Sequence, residues 1–200
     1  PVLYVCEDNG IGISVKTPQG WVARNFRERA DLDYFYAGFV RGDWETSYRG
    51  GRRMVELAPG AGHALYAAGL TAQITNRPRE AIEVLRRIDT KVGWGKAWAP
   101  RVYNLIARSY HQLGDYQREL EWAKRLRASE PNAGWTRLEE VGAMAAQGRA
   151  KDALNLAVEG AVFPTSTETW EDYSPGDFLW QAGRELRAHG HPLEAREAFE

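Results

Sequence analysis

Cys6, Glu7, Asp8 and Asn9 stand together at the end of the apolar run VLYV, so a thiol, two carboxylates and an amide are the first groups to test for chemistry. A cysteine nucleophile needs a base or another source of a lowered pKa. No histidine lies near Cys6 in sequence, and an inert, buried thiol is expected there. Glu7, Asp8, Glu139 and Glu140 form no pair whose spacing suits acid–base catalysis. The single cysteine excludes an internal disulfide, and with only four scattered histidines a structural zinc site is not expected. Arg49, Arg52 and Arg53 make a basic face on one helix, which is most simply a solvated one.

The elements that must hold such groups come in two textures. From Pro1 to about Val22, β-branched and aromatic residues sit beside glycine and proline, which predicts a strand, a turn and an irregular loop. From about Leu32 apolar residues recur at spacings of three and four, among many Ala, Glu, Arg and Leu, which predicts helices. Two hundred residues with 44% hydrophobic composition are enough for a buried core. A formal net charge of −1 gives no global attraction to nucleic acid or to an anionic membrane surface. No apolar run approaches the roughly 20 residues that span a bilayer, and no secretory leader is evident, so a cytoplasmic location is expected.

The helical part repeats. Aligned on the turns Gly42-Asp43, Asn76-Arg77, Gly114-Asp115, Gly148-Arg149 and Gly190-His191, the spacings are 34, 38, 34 and 42 residues. The excess falls in Lys91–Lys96 and from Thr165 to Thr169 onward, both loop-like in composition. Five residues after each turn comes Ser47, Ala81, Glu119, Ala153 or Ala195, where helices must approach closely and small side chains are favoured. Glu119 is the misfit. Gly51, Leu85, Ala123, Ala157 and Phe199 follow four residues later, then Met54, Ile88, Leu126 and Gly160, one apolar stripe down each second helix. Leu65, Ala68, Gly69 and Ala72 in one first helix match Tyr103, Ile106, Ala107 and Tyr110 in the next, and Leu179, Ala182, Gly183 and Leu186 in the last.

On these positions the chain resembles the tetratricopeptide repeat family. The third unit, YNLIARSYHQLGDYQRELEWAKRLRASEP, carries the resemblance best. Val141 and Gly160 of the fourth depart from the family pattern most. The resemblance implies an all-α solenoid of about five helix-turn-helix repeats over residues 32–200, the last one cut short, after a short strand and loop segment over 1–31. Stacked helix pairs of this kind bury a continuous core and present a concave face. The family's face-lining positions correspond to His63, Tyr66, Leu70 and Gln73, to Arg101, Asn104, Arg108 and His111, and to Asp177, Trp180, Arg184 and Arg187. Guanidinium forks and an amide suit a peptide carboxylate or acidic side chain. The lysines and asparagines of the family's carboxylate clamp are not reproduced. The bland alternative is that these are solvated polar residues on helix faces.

A second resemblance covers Pro1 to about Ala37. The stretch VCEDNGIGIS is similar to part of the alpha subunit of thiamine-diphosphate-dependent 2-oxo acid dehydrogenases. It implies that the Asn9 side chain and the Ile11 carbonyl would serve a magnesium ion holding the diphosphate, hard oxygen ligands of the kind magnesium takes. Asp8 replaces an asparagine of that motif, and the G-D-G that completes it is absent from the chain. Taken alone, Asp8-Asn9-Gly10 is an ordinary turn, and residues 1–19 are expected to be a lone strand, poorly ordered or docked opportunistically.

The resulting expectation is a scaffold that binds a peptide or protein partner, without a cofactor, a membrane or nucleic acid. Two alternatives stay open: an incomplete dehydrogenase subunit with thiamine diphosphate and Mg²⁺, and an RNA-binding helical array. The partner's identity and the oligomeric state are not legible.

Overall fold

A computed structural model describes residues 2–7, 10–17, 20–23, 35–161 and 175–200. The chain divides into two compact units, Pro1–Arg77 and Pro78–Glu200.

The first unit opens with three strands, β1 (Val2–Glu7), β2 (Gly10–Thr17) and β3 (Gly20–Ala23). They form an antiparallel sheet in chain order, with Val2 opposite Val15, Glu7 opposite Gly10, and Thr17 opposite Gly20. The expected lone strand and irregular loop are corrected here. Ile11, Ile13 and Val15 alternate along β2, and β-branched residues at a two-residue period favour a pleated strand. Asp8 and Asn9 lie outside the described residues, as do the side chains of Cys6 and Ile11.

Three helices follow in this unit: α1 (residues 35–41), α2 (Trp44–Leu57) and α3 (Gly62–Ile74). Asp43 caps α2 by accepting from the Thr46 amide at 3.0 Å, which satisfies one of the helix's orphan donors. Phe35, Met54, Ala64 and Ala67 make the core. The helices approach closely because side chains are missing at the crossings. A Cβ on Gly50 would lie 2.9 Å from the Phe35 amide nitrogen, and one on Gly51 would lie 3.0 Å from the Ala68 backbone. Ser47, fully buried, donates its hydroxyl to the Phe35 carbonyl at 2.9 Å.

The second unit contains α4 (Pro78–Leu85), α5 (Gly93–Ala97), α6 (Ala99–Gln112), α7 (Tyr116–Ser129), a 3₁₀ turn (Gly134–Arg137), α8 (Leu138–Ala146), α9 (Ala150–Ala161), α10 (Pro175–Ala188) and α11 (Pro192–Phe199). Successive helices pair, and the first helices α6, α8 and α10 also lie side by side. Residues 91–96, expected as a loop, overlap α5, whose Trp94 ring stacks on Trp98 at 5.1 Å between centroids. The Thr165–Thr169 insertion lies outside the described residues. The fourth repeat's departures fit their surroundings: Val141 is fully buried, and the bare face of Gly160 receives the Phe178 ring, which a Cβ would meet at 2.6 Å.

The same turn closes every first helix. Gly42, Asn76, Gly114, Gly148 and Gly190 all have φ between 60° and 87°. In each, the next residue's amide donates five residues back, as Asp43 to Gly38, Arg77 to Ala72, Asp115 to Tyr110, Arg149 to Met144 and His191 to Leu186. This is the Schellman arrangement, which needs a residue that tolerates the left-handed region. Its register fixes the small or stripe positions that follow, and Ala81, Ala153, Leu85, Ala123, Ala157 and Leu126 are all fully buried.

Candidate functional site

In the second unit the first helices set three rows of side chains next to one another. α6 carries Arg101, Asn104, Arg108 and His111 at spacings of three and four, so they share one face. α10 carries Asp177, Trp180, Arg184 and Arg187 in the same way. Between them the fourth repeat offers Trp135, Leu138, Gly142 and Ala145, and Gly142 and Ala145 are too small to stand between their neighbours' side chains.

Across that low row the longer residues meet. Asn104 donates its amide to Glu139 Oε1 at 3.1 Å. His111 Nδ1 lies 2.9 Å from Glu119 Oε2, and His111 Nε2 lies 3.6 Å from Glu185 Oε2. His189 Nε2 is 3.8 Å from the same Glu185 oxygen. Gln181 and Arg184 both donate to Glu185 Oε1, at 3.2 and 3.0 Å. The Tyr116 ring stands edge-on to His189 at 5.1 Å and tilted to His111 at 5.5 Å. Glu119 is thus no packing error. It occupies a position filled elsewhere by serine or alanine, it is fully buried, and an imidazole partners it.

Electrostatics follow from this burial. The hydrogen bond to Glu119 raises the His111 pKa above the usual imidazole value, against its partial burial. Burial raises Glu119 above the carboxylate range, partly offset by His111. Desolvation pushes Glu139 up to about 7, with Arg108 pulling the other way. Glu140, fully buried beside Glu139 in sequence, is raised by burial and pairs with Arg127 Nε at 2.7 Å.

The other sequence-predicted residues are placed as follows. Trp180 is 54% exposed, with the Arg184 guanidinium 4.9 Å from its ring centre. Arg108 and Arg187 are exposed, and Arg101 sits over the Trp98 ring at 5.6 Å. In the first unit, His63, Tyr66 and Leu70 of α3 are half-buried and Gln73 is buried; burial lowers the His63 pKa. Arg49 donates to Thr46 and Arg53 pairs with Glu56 at 2.6 Å, so both of these cations have partners on their own helix. Glu139, Glu185 and His189 are the groups that spacing alone missed. A signal existed in Glu185 and His189, four residues apart on one helix face.

No family model matches the chain, and no curated protein is similar to it in sequence. Solved structures are similar in fold. MamA from Desulfovibrio magneticus superposes with a TM-score of 0.64 over 88% of this chain and 92% of that one, at 11% identity. YrrB, described as a TPR protein with an unusual peptide-binding site, gives 0.56 over 84% and 80%, at 15% identity. TTC0263, a TPR protein of Thermus thermophilus, gives 0.62 over 86% and 88%, at 14% identity. The fold is a tetratricopeptide-like α-solenoid. The dehydrogenase resemblance gains no such support. In place of the lone strand expected there, β1 and β2 pair antiparallel, with Ile11 opposite Cys6.

Proposed function

We propose that the chain is an interaction scaffold that holds a peptide or protein segment against the first-helix face of its second unit. The carrying observation is Trp180, a large aromatic left 54% exposed on that face with a guanidinium packed over it. An amphipathic aromatic beside an arginine is the pairing that dominates binding energy at many interfaces. Arg108, Arg184 and Arg187, all exposed, favour a segment with acidic side chains or a terminal carboxylate. The fold's similarity to YrrB supports the reading, since that protein is described as having a peptide-binding site.

The test is selection of ligands from a peptide library on the full chain, followed by fluorescence anisotropy. Trp180→Ala should weaken binding at least tenfold, since truncating an interface anchor of this kind costs about 2 kcal/mol or more. The combined change Arg108→Glu and Arg184→Glu should weaken it further and flatten the salt dependence. Selected peptides that bind these variants as well as the parent would overturn the proposal.

A further inference from the structure

His111, Glu185 and His189 come together from two helices, and one nitrogen or oxygen of each lies within 4.8 Å of those of the other two. Glu185 Oε2 stands 3.6 Å from His111 Nε2 and 3.8 Å from His189 Nε2. Both separations exceed the range of a good N–H···O hydrogen bond. They are close to what a tetrahedral metal needs, since bonds of 2.0–2.1 Å put neighbouring ligand atoms about 3.4 Å apart. A shift of a few tenths of an ångström would bring each imidazole nitrogen to that distance from Glu185, and the two imidazole nitrogens lie within 4.8 Å of each other.

The surroundings orient each of these atoms. Glu119 Oε2 lies 2.9 Å from His111 Nδ1, and with Glu119 ionised and His111 neutral this contact favours the proton on Nδ1, which frees Nε2, 3.6 Å from Glu185, to act as a ligand. A carboxylate bonded to the far nitrogen is the usual outer partner of a metal-binding histidine. Gln181 and Arg184 occupy Glu185 Oε1 and leave Oε2 to the two imidazoles. Glu119 has a side chain only 1% exposed, and its Oε1 has no hydrogen-bond partner. Beneath the cluster Gly142 keeps the floor low; a Cβ there would already touch Glu119 Oε1 at 3.6 Å and Glu185 Cγ at 3.9 Å. The imidazoles retain 31% and 21% exposure, so the site opens to solvent on one side.

We infer that His111, His189 and Glu185 form a binding site for a borderline divalent transition metal such as Zn²⁺, with Glu119 as positioning residue and a fourth position open to solvent. Two imidazoles among three ligands select against Mg²⁺ and Ca²⁺, which take oxygen. Trp180 is not one of its ligands, although Arg184 touches both that ring and Glu185, and the inference does not rest on peptide binding.

Co²⁺ is the probe, because its visible absorption reports coordination by nitrogen and oxygen. Added to the chelator-treated full chain, it should give a saturable absorption at one equivalent, displaced by Zn²⁺ and not by Mg²⁺. His189→Asn and Glu185→Gln should abolish that signal, with circular dichroism confirming the helical fold. Glu119→Gln should weaken binding about 10- to 100-fold, as loss of an outer partner does. His191→Asn, a neighbouring histidine outside the cluster, should bind as the parent does. Absence of saturable Co²⁺ binding overturns the site. So does binding that survives in folded His189→Asn and Glu185→Gln chains.

Discussion

Both units drop side chains where elements pack closely, as Gly160 does beneath Phe178, but among the described residues the second unit adds a device that the first does not show. In the first, side chains are removed at the crossings: Gly50 lets the Phe35 backbone in, Gly51 does the same for Ala68, and the buried polar group Ser47 is small and bonded to a carbonyl. In the second, carboxylates are buried: Glu119, Glu140 and Glu185 are at most 7% exposed, with partners drawn from other helices or from the next turn. Packing by omission is a pure stability device. Burying charge costs desolvation and is a weak source of stability, so such groups usually have another use.

Three changes would break or sharpen that contrast. The largest effect belongs to Gly50→Leu, which forces a side chain into backbone and should cost about 3 kcal/mol by overpacking. Urea denaturation measures it, and a loss no larger than that of an exposed helix glycine would remove the distinction. Next is Glu139→Gln. With a pKa of about 7 in the folded chain against 4.5 ordinarily, Glu139 holds a proton between those values that the unfolded chain releases. Stability therefore falls as pH rises through that window, and the loss is complete above about pH 7. The variant should match the parent at pH 4.5 and exceed it at pH 8.5 by about 1 kcal/mol, discounted for the residue's partial exposure. Equal curves at both pH values would refute the burial argument. The smallest stability change is expected for Glu119→Gln, within about 0.5 kcal/mol, since desolvation of the charge and its bond to His111 oppose each other. Its spectroscopic effect is larger. By NMR, in chelator, the His111 titration should move to lower pH, because its principal raising partner has lost its charge.

Local physics was legible in the sequence; long-range partnership was not. The five turn residues are all glycine or asparagine because the left-handed turn demands it, so aligning on them recovered the repeat and the buried stripe. Glu119 was visible as a misfit, but its reason lies with His111 and with Glu185, 66 residues on and across a different helix. Spacing marks no catalytic pair at Glu139 and Glu140, and the place of Glu139 beside Asn104 comes only with the packing of α6. β2 was missed because glycines at positions 10 and 12 suggest a loop, whereas the pairing to β1 supplies the missing preference. α5 was missed for the same reason. Gly93 and Gly95 are poor helix formers, yet a Cβ on Gly95 would overlap the Asp89 carbonyl, so the glycine that weakens the helix is the one that lets it fit.

The residues that lengthen the 38-residue repeat sit ahead of Trp98, within α5 and its approach. Four extra residues amount to about one helical turn. They form a separate short helix rather than extending α6, which still packs against α4 and α7. The chain therefore changes its contour length ahead of α6 while Val102, Leu105, Ile106 and Tyr110 stay buried and Arg108 stays exposed.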